Sequence, residues 1–390
     1  MPKTGSRISH LVESLPPSGI RRFFELVEQM PEAISLGIGE PDFVTPWRVR
    51  EAAIFSLERG HTHYTPNRGT KQLLTELARY LSRRLGLEYD PETELLITIG
   101  ASEAVDAALR AIVEPGDGVL IGEPCFVSYS PCAVLAGGRA IPVATRVEHA
   151  FQLQPEELAE ADDGGARVLM ISYPSNPTGA IMTPEALHGV VQYARDRDLL
   201  IISDEVYAEL TYNGSHTSVA AMPGARERTV LVGGFSKAWA MTGWRLGFAA
   251  GPADIIAAMT KVHSYTVMCP PTTAQEAAVE ALRACDDAVE EMRRSYNQRR
   301  RVTVNRLNAM GLECFEPKGA FYAFPSVART GLGSEEFAER LLREEKVAVI
   351  PGNAFGACGE GFVRCCYATS MELLEEAFAR MARFAARASG

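Results

Sequence analysis

The chain has 390 residues, which is too long for one ordinary domain and enough to bury a sizeable core. Hydrophobic residues at 46% and charged residues at 23% are typical of soluble globular proteins. The formal net charge of −10 disfavours binding to nucleic acid or anionic membranes. We see neither a signal peptide nor the roughly 20 apolar residues that a membrane span needs. Eight cysteines without disulfide or zinc spacing favour a reducing cytoplasm.

Short apolar runs alternate with helical stretches through the middle of the chain. The runs predict strands at 95–99, 119–122, 140–144, 168–172, 199–203 and 229–232. Helices are predicted at about 102–113 and 184–197. This alternation indicates an α/β fold with a mostly parallel sheet flanked by helices. Because ligands of such sheets bind at the carboxyl ends of the strands, we expect the functional residues there.

The pattern changes near residue 286. The later elements are predicted as a charged helix at 286–310, strands at 321–324, 347–350 and 362–366, a helix at 334–345 and a final helix from Met371. These elements indicate a smaller α+β domain. We therefore predict a large domain at 45–285 and a small domain at 286–390. An N-terminal segment, 1–44, with a short helix near 21–29, is expected to pack against the small domain.

Lys237 has the clearest chemical signature in the sequence. It follows an apolar strand in the run Gly-Gly-Phe-Ser-Lys, and Arg245 lies eight residues further on. Burial at a strand end disfavours the ammonium form, so the pKa of Lys237 should fall. A neutral amine attacks an aldehyde to form a Schiff base. The glycines and Arg245 suggest an anionic group nearby, so the combination predicts a lysine bonded to pyridoxal 5′-phosphate (PLP).

Three further motifs are ambiguous when each is taken alone. Asn176 lies in a loop made rigid by prolines, which is either a plain turn or a way of aiming its amide. Asp204 ends a very apolar strand and either caps the next segment or serves chemistry. Ser102 opens a helix and is either an ordinary N-cap or part of a phosphate site.

Seven motifs in order give a family resemblance. They are GIGEPDF at 37–43, HYTPNRG at 63–69, GASEA at 100–104, SNPTG at 175–179, DEVY at 204–207, SK-x7-R at 236–245 and VRCCYATS at 363–370. From about residue 20 to the C-terminus, the chain resembles the class I/II aminotransferases, PLP enzymes of fold type I. The residues of these motifs are similar to those of the aspartate, aromatic and N-acetyl-diaminopimelate aminotransferases.

The resemblance implies a role for each matching residue. Lys237 would bond the cofactor and then shuttle a proton between the substrate Cα and the cofactor's C4′. Asp204 would pair with the pyridinium nitrogen, while Tyr207 and Asn176 would hydrogen-bond the 3′-oxygen. The other expected cofactor contacts, mostly to the phosphate, are Gly100, Ala101, Ser102, Ser236 and Arg245.

The resemblance also implies substrate contacts and a second subunit. Arg364 would grip the substrate α-carboxylate with the Gly39 N–H group and Asn176 beside it, and Phe126 would stack on the cofactor ring. Tyr64 would reach the phosphate of the neighbouring subunit, which requires a homodimer. Phe126 as a core aromatic and Tyr64 as a loop residue remain alternatives. A surface ion pair is the alternative for Arg364, disfavoured because an unpaired charge leaving an apolar strand is costly.

The expected reaction passes the amino group of an α-amino acid to a 2-oxo acid by a ping-pong route, with glutamate and 2-oxoglutarate as a pair. Dicarboxylate substrates usually need a further cation, for which Arg22, Arg68 and Lys318 are candidates by position. A carbon–sulfur β-lyase remains an alternative, because its chemistry begins with the same cofactor and the same carbanion.

Other classes fit the sequence less well. A PLP-binding regulator would need a DNA-binding domain, for which the short N-terminus leaves no room. A nicotinamide oxidoreductase would need G-x-G-x-x-G after the first strand, and Gly37-Ile38-Gly39 lacks the third glycine. A serine hydrolase using Ser236 with Lys237 is disfavoured because adjacent side chains point apart and no G-x-S-x-G is present.

Overall fold

A seven-stranded sheet forms the centre of the computed structural model, which describes residues 7–17, 19, 27 and 30–388. Its strands are β2 (Leu95–Thr98), β3 (Gly118–Glu123), β4 (Arg139–Ala144), β5 (Ala166–Ser172), β6 (Leu200–Asp204), β7 (Thr229–Gly234) and β8 (Gly247–Ala250). Their spatial order is β2-β8-β7-β6-β5-β3-β4. Strands β7, β6, β5, β3 and β4 pair in parallel, whereas β8 is antiparallel to both of its neighbours. The predicted mostly parallel sheet is confirmed, although β8 was not anticipated.

Both faces of this sheet are covered, as a mostly parallel sheet requires. Val119 packs in one core cluster and the next residue, Leu120, packs in another, because successive side chains of a strand point to opposite faces. The first cluster includes Leu109 and Ile256 from helices, and the second includes Leu187. The apolar runs of the sequence are therefore strands buried on both sides.

Helices connect several of the parallel strands, as crossover connections do. In chain order they are α1 (His10–Glu13), α2 (Trp47–Glu58), α3 (Lys71–Leu85), α4 (Gly100–Ile112), α5 (Tyr129–Leu135), α6 (Pro155–Ala161), α7 (Pro184–Asp196), α8 (Ala253–Thr266), α9 (Thr272–Ala284), α10 (Asp286–Ala309), α11 (Ser334–Glu345) and α12 (Met371–Ala388). Pro184 opens α7 with Thr183 as its N-cap, a sequence typical of a helix start.

Two small sheets accompany the central one. Strand β1 (Ile34–Ser35) pairs in parallel with β10 (Val347–Ala348), and a three-stranded antiparallel sheet has the order β11 (Ile350–Pro351), β12 (Val363–Cys366), β9 (Tyr322–Ala323). The single strand predicted at 347–350 is therefore wrong: it is two short strands in different sheets, separated by Val349. The predicted domain boundaries remain predictions, and most of the helix predicted near 21–29 lies outside the described residues.

The sheet brings several polar loops to one edge. The parallel strands β5, β6 and β7 end at Ser172, Asp204 and Gly234, and β2 runs directly into α4 at Gly100. The carboxyl ends of these strands lie at the same edge, which is where open α/β sheets bind their ligands.

Candidate active site

A cavity of about 430 Å³ opens at the carboxyl ends of these strands. Most of the residues singled out in the sequence line it, namely Gly39, Ala101, Ser102, Phe126, Asn176, Asp204, Tyr207, Ser236, Lys237, Arg245 and Arg364. Gly100 lies just behind this lining against Arg245, whereas Tyr64 lies outside the cavity. Segments 200 residues apart in sequence therefore meet at one place.

Lys237 presents its amine to the cavity three residues after β7. Its Nζ donates a hydrogen bond to the carbonyl oxygen of Gly39 at 2.7 Å. The rings of Tyr207 and Phe321 have their centroids 5.7 Å from Nζ. Burial of the amine lowers the pKa of Lys237 to about 8; Cys366 opposes this shift, while the positive charge of Arg364 adds to it. A tenth of the amine is thus neutral at about pH 7, which makes it a usable nucleophile.

Asp204 is a buried carboxylate held from two sides. Its Oδ2 accepts a hydrogen bond from the Tyr129 hydroxyl at 2.7 Å, and its Oδ1 accepts one from the Val206 N–H at 3.1 Å. Burial raises the pKa of Asp204, while these two hydrogen bonds act in the opposite direction. The capping alternative is partly right, because the carboxylate accepts a hydrogen bond from the Val206 N–H group. The same carboxylate also faces the cavity. Tyr129 was not anticipated, since nothing in the sequence links it to Asp204.

Arg364 is buried between two aromatic rings. Its guanidinium carbon lies 4.5 Å from the ring centroid of Tyr322 and 4.8 Å from that of Phe355. Nη1 donates to Asn176 Oδ1 at 2.8 Å and Nη2 to the Gly37 carbonyl at 2.6 Å. Within the described part of the chain, its Nε has no hydrogen-bond partner and no carboxylate pairs with it. The surface ion pair is therefore wrong, and a buried cation of this kind suits an anionic ligand.

The start of α4 and Arg245 form the anion-binding end of the cavity. Gly100 adopts φ +70°, which favours glycine, and a Cβ there would lie 2.7 Å from Nη2 of Arg245 and displace the guanidinium. Arg245 itself adopts φ +54° and donates from Nη1 to the Thr242 carbonyl at 3.0 Å. Ser102 lies within the first turn of α4, whose N-cap is Ile99, so Ser102 is not the N-cap. Free N–H groups at a helix start favour an anion.

Tyr207 and Tyr322 meet beside the lysine. Their hydroxyl oxygens lie 2.7 Å apart in a hydrogen bond. A Cβ at Gly39 would lie 2.3 Å from the Tyr322 oxygen, so glycine allows this close approach. Phe126 lines the cavity with its ring centroid 5.7 Å from that of Tyr129, and it also packs against the core, so its stacking on the cofactor stays a prediction. Tyr322 belongs to a motif seen in the sequence, yet no role was assigned to it.

Two of the candidates for a further cation, Arg68 and Lys318, do not line the cavity. Arg68 donates from Nη2 to the Leu95 carbonyl at 2.7 Å, and Lys318 is exposed elsewhere. Arg22 lies outside the described residues. Within the described part of the chain, the cations that line the cavity are Lys237, Arg245 and Arg364.

Comparisons with known proteins agree with one another. Residues 31–381 match the family "Aminotransferase class I and II". The chain is 46% identical to an aspartate aminotransferase of Pyrococcus abyssi over 96% of this chain and 97% of the relative. It is 45% identical to aromatic-amino-acid aminotransferase 2 of Thermococcus litoralis over 96% and 97%. The crystal structure of an aromatic aminotransferase from Pyrococcus horikoshii superposes with a TM-score of 0.90 at 46% identity, covering 94% of this chain and 99% of that one.

The fold and the lysine-centred cavity define an enzyme that works on carbonyl compounds through an amine. The chain belongs to the class I and II aminotransferases. It is therefore an aminotransferase that depends on PLP and acts on amino acids and 2-oxo acids. No helix in the described ranges, 7–17 and 30–388, has the length and apolar character needed to cross a membrane.

The residues of the cavity fit PLP chemically. The amine of Lys237 suits the aldehyde, and the buried carboxylate of Asp204 suits the ring nitrogen. The cradle between Gly100 and Arg245 at a helix start suits the phosphate. The family's cofactor thus has a complementary group in this chain for each of its three polar ends.

Proposed function

We propose that the enzyme moves the amino group of an L-α-amino acid to a 2-oxo acid by a ping-pong mechanism, with glutamate and 2-oxoglutarate as one pair. The observation that supports this most strongly is the position of the Lys237 amine. It has a pKa of about 8 and shares one cavity with Asp204 and Arg364. A base, an electrostatic partner for a ring nitrogen and a carboxylate anchor are what transamination needs.

Lys237 is proposed as the proton carrier. When bound, PLP withdraws electrons from the substrate Cα. The neutral amine of Lys237 would accept the proton from the substrate Cα and carry it to the cofactor, a role to which a pKa near the working pH is suited. The Gly39 carbonyl, which accepts from Nζ at 2.7 Å, orients the amine. Asp204, oriented by Tyr129, keeps the ring nitrogen protonated.

Neighbouring side chains are proposed to fix the cofactor. Tyr207 and Asn176, which line the cavity, would hydrogen-bond the 3′-oxygen, and Phe126 would stack on the ring. The phosphate binds at the start of α4 and at Arg245, through the residues Gly100, Ala101, Ser102, Ser236 and Arg245. Placement of these groups on strand ends and a helix start gives the rigidity that orientation requires.

Arg364 is proposed as the anchor of the substrate α-carboxylate. The stacking of its guanidinium between Tyr322 and Phe355 fixes the plane of the fork, and Asn176 fixes its rotation. A planar guanidinium binds a carboxylate through two parallel hydrogen bonds, which a lysine cannot reproduce. The Gly39 N–H group is proposed to add a third donor.

A homodimer is proposed because several apolar side chains are exposed between residues 44 and 64, shortly after the cavity-lining residues Gly39 and Glu40. Exposed side chains on and near α2 include Val44, Trp47, Phe55, Leu57 and Tyr64. Tyr64 is 79% exposed, as expected for a residue that serves the neighbouring subunit's phosphate. Apolar exposure of this kind marks protein interfaces. We also propose a cytoplasmic location, in keeping with eight free cysteines, and domains at 45–285 and 286–390, with segment 1–44 on the smaller one.

The glutamate and 2-oxoglutarate pair is proposed from the family resemblance, while the names of the relatives suggest aspartate and aromatic amino acids as further donors. A panel of amino donors with 2-oxoglutarate and pyruvate as acceptors tests it. Glutamate formation from 2-oxoglutarate, with parallel double-reciprocal plots, is the expected result. Pyruvate and sulfide or thiol released from cysteine or cystathionine without any acceptor would favour the β-lyase instead.

A further inference from the structure

The turn that forms part of the proposed phosphate site is constrained from several sides. Residues 99–102, here called the 99–102 turn, comprise Ile99 and the first three residues of α4, with Gly100 at φ +70°. A Cβ at Gly247 would lie 2.4 Å from the Gly100 carbonyl carbon and 2.5 Å from the Ala101 nitrogen, so β8 presses against the turn. The Thr98 hydroxyl donates to the Gly100 carbonyl at 2.9 Å. The direction of the N–H groups at the helix start depends on this backbone.

Glu103 holds the turn from the helix side. Its Oε2 accepts the N–H of Ile99 at 2.5 Å, reaching back four residues across the start of α4. This bond satisfies a partly buried donor and fixes the peptide that leads into Gly100. Glu103 does not line the cavity, and its side chain is only 13% exposed. Its contribution to the site must therefore pass through the backbone.

His263 holds Glu103 in turn. The imidazole, on α8, is 0% exposed, and its Nδ1 lies 2.5 Å from Oε1 of Glu103. Because a carboxylate can only accept, the ring donates through Nδ1; this tautomer is assigned from the pairing. Within the described residues, Nε2 of His263 has no hydrogen-bond partner. Each oxygen of Glu103 thus has one donor, and the side chain has a single position.

We propose that Glu103 and His263 are positioning residues that hold the 99–102 turn in the shape that binds the cofactor phosphate. The pair lies among apolar residues of the core, where a buried polar pair contributes little net stability. Its geometry instead specifies one backbone conformation. This role rests on the proposed function, in which the start of α4 binds the phosphate of the cofactor.

Pyridoxal, which lacks the phosphate, separates a positioning role from a general structural one. The cofactor-free enzyme is titrated with PLP and with pyridoxal, and the visible absorbance of the bound cofactor gives both dissociation constants. Glu103→Met keeps most of the side-chain length but removes both acceptor oxygens, so the Ile99 N–H group and Nδ1 of His263 lose their partner. It is expected to weaken PLP binding by about tenfold or more while pyridoxal binding stays unchanged. Asp106→Asn, a matched charge loss on the same helix at the Arg110 ion pair, should change neither constant.

A second pair of variants covers the case in which Glu103→Met fails to fold. His263→Asn keeps a donor near the Nδ1 position and should retain the preference for PLP, whereas His263→Leu removes the donor and should lose it. Equal weakening of both ligands, or an unchanged preference in Glu103→Met and His263→Leu, would overturn the proposal. If the wild-type enzyme bound PLP and pyridoxal equally well, the start of α4 would not be a phosphate-binding site. That result would refute this part of the proposed function.

Discussion

The ionisation of Lys237 gives a prediction that needs no substrate. Burial moves its pKa from 10.5 to about 8. At pH 7 about one amine in ten is then neutral, against about one in three thousand for an ordinary lysine, a difference of about 300-fold. Raising the pH of the cofactor-free enzyme from 6 to 11 should therefore switch the reactivity of Lys237 on near pH 8, well before that of an exposed amine.

Competitive labelling with trace acetic anhydride measures this directly. The extent of acetylation of the Lys237 peptide is quantified by mass spectrometry at each pH, with a free lysine peptide in the same tube as the reference. The titration midpoint of Lys237 should lie near 8, while that of the reference lies near about 10.4. A midpoint for Lys237 at or above that of the reference would show that the cavity does not desolvate the amine and would refute this reasoning.

Three further predictions concern the groups around the lysine. Asp204→Ala should retain part of the cofactor but lose about 100-fold or more in kcat, and an unchanged rate would rule out its proposed role. Tyr129→Phe removes a hydrogen bond that lowers the pKa of Asp204, so the acid limb of the kcat–pH profile should move to higher pH; an unmoved limb would contradict this. Arg364→Lys loses the planar fork, so KM for the amino acid should rise about tenfold or more while the spectrum of the bound cofactor is kept; an unchanged KM would point to another anchor.

The sequence predicts the central sheet well because its strands are simple. Runs such as 168–172 and 199–203 are apolar on both faces, and the helices between them have regular periodicity. Strand β8 was missed because Gly-Phe-Ala-Ala is short and has no β-branched residue. Its antiparallel insertion between β2 and β7 is a tertiary feature that no local pattern records.

The chemistry of the site was predictable only where residue type and local context suffice. A lysine after a buried strand predicts a lowered pKa, and burial in the structure does lower the pKa of Lys237. Tyr129 lies 75 residues from its partner Asp204, and Asn176 lies 188 residues from its partner Arg364. Such contacts depend on how distant segments pack. The Glu103–His263 pair, 160 residues apart, belongs to the same group.

The central claim is that the amine of Lys237 bonds the cofactor. Borohydride reduction of the enzyme loaded with PLP makes a bond between an amine and the cofactor aldehyde permanent, and tryptic mapping then locates it. We expect the pyridoxyl group on the peptide that contains Lys237, and its loss in Lys237→Ala together with turnover. A label on a different lysine, or full activity in Lys237→Ala, would contradict the account.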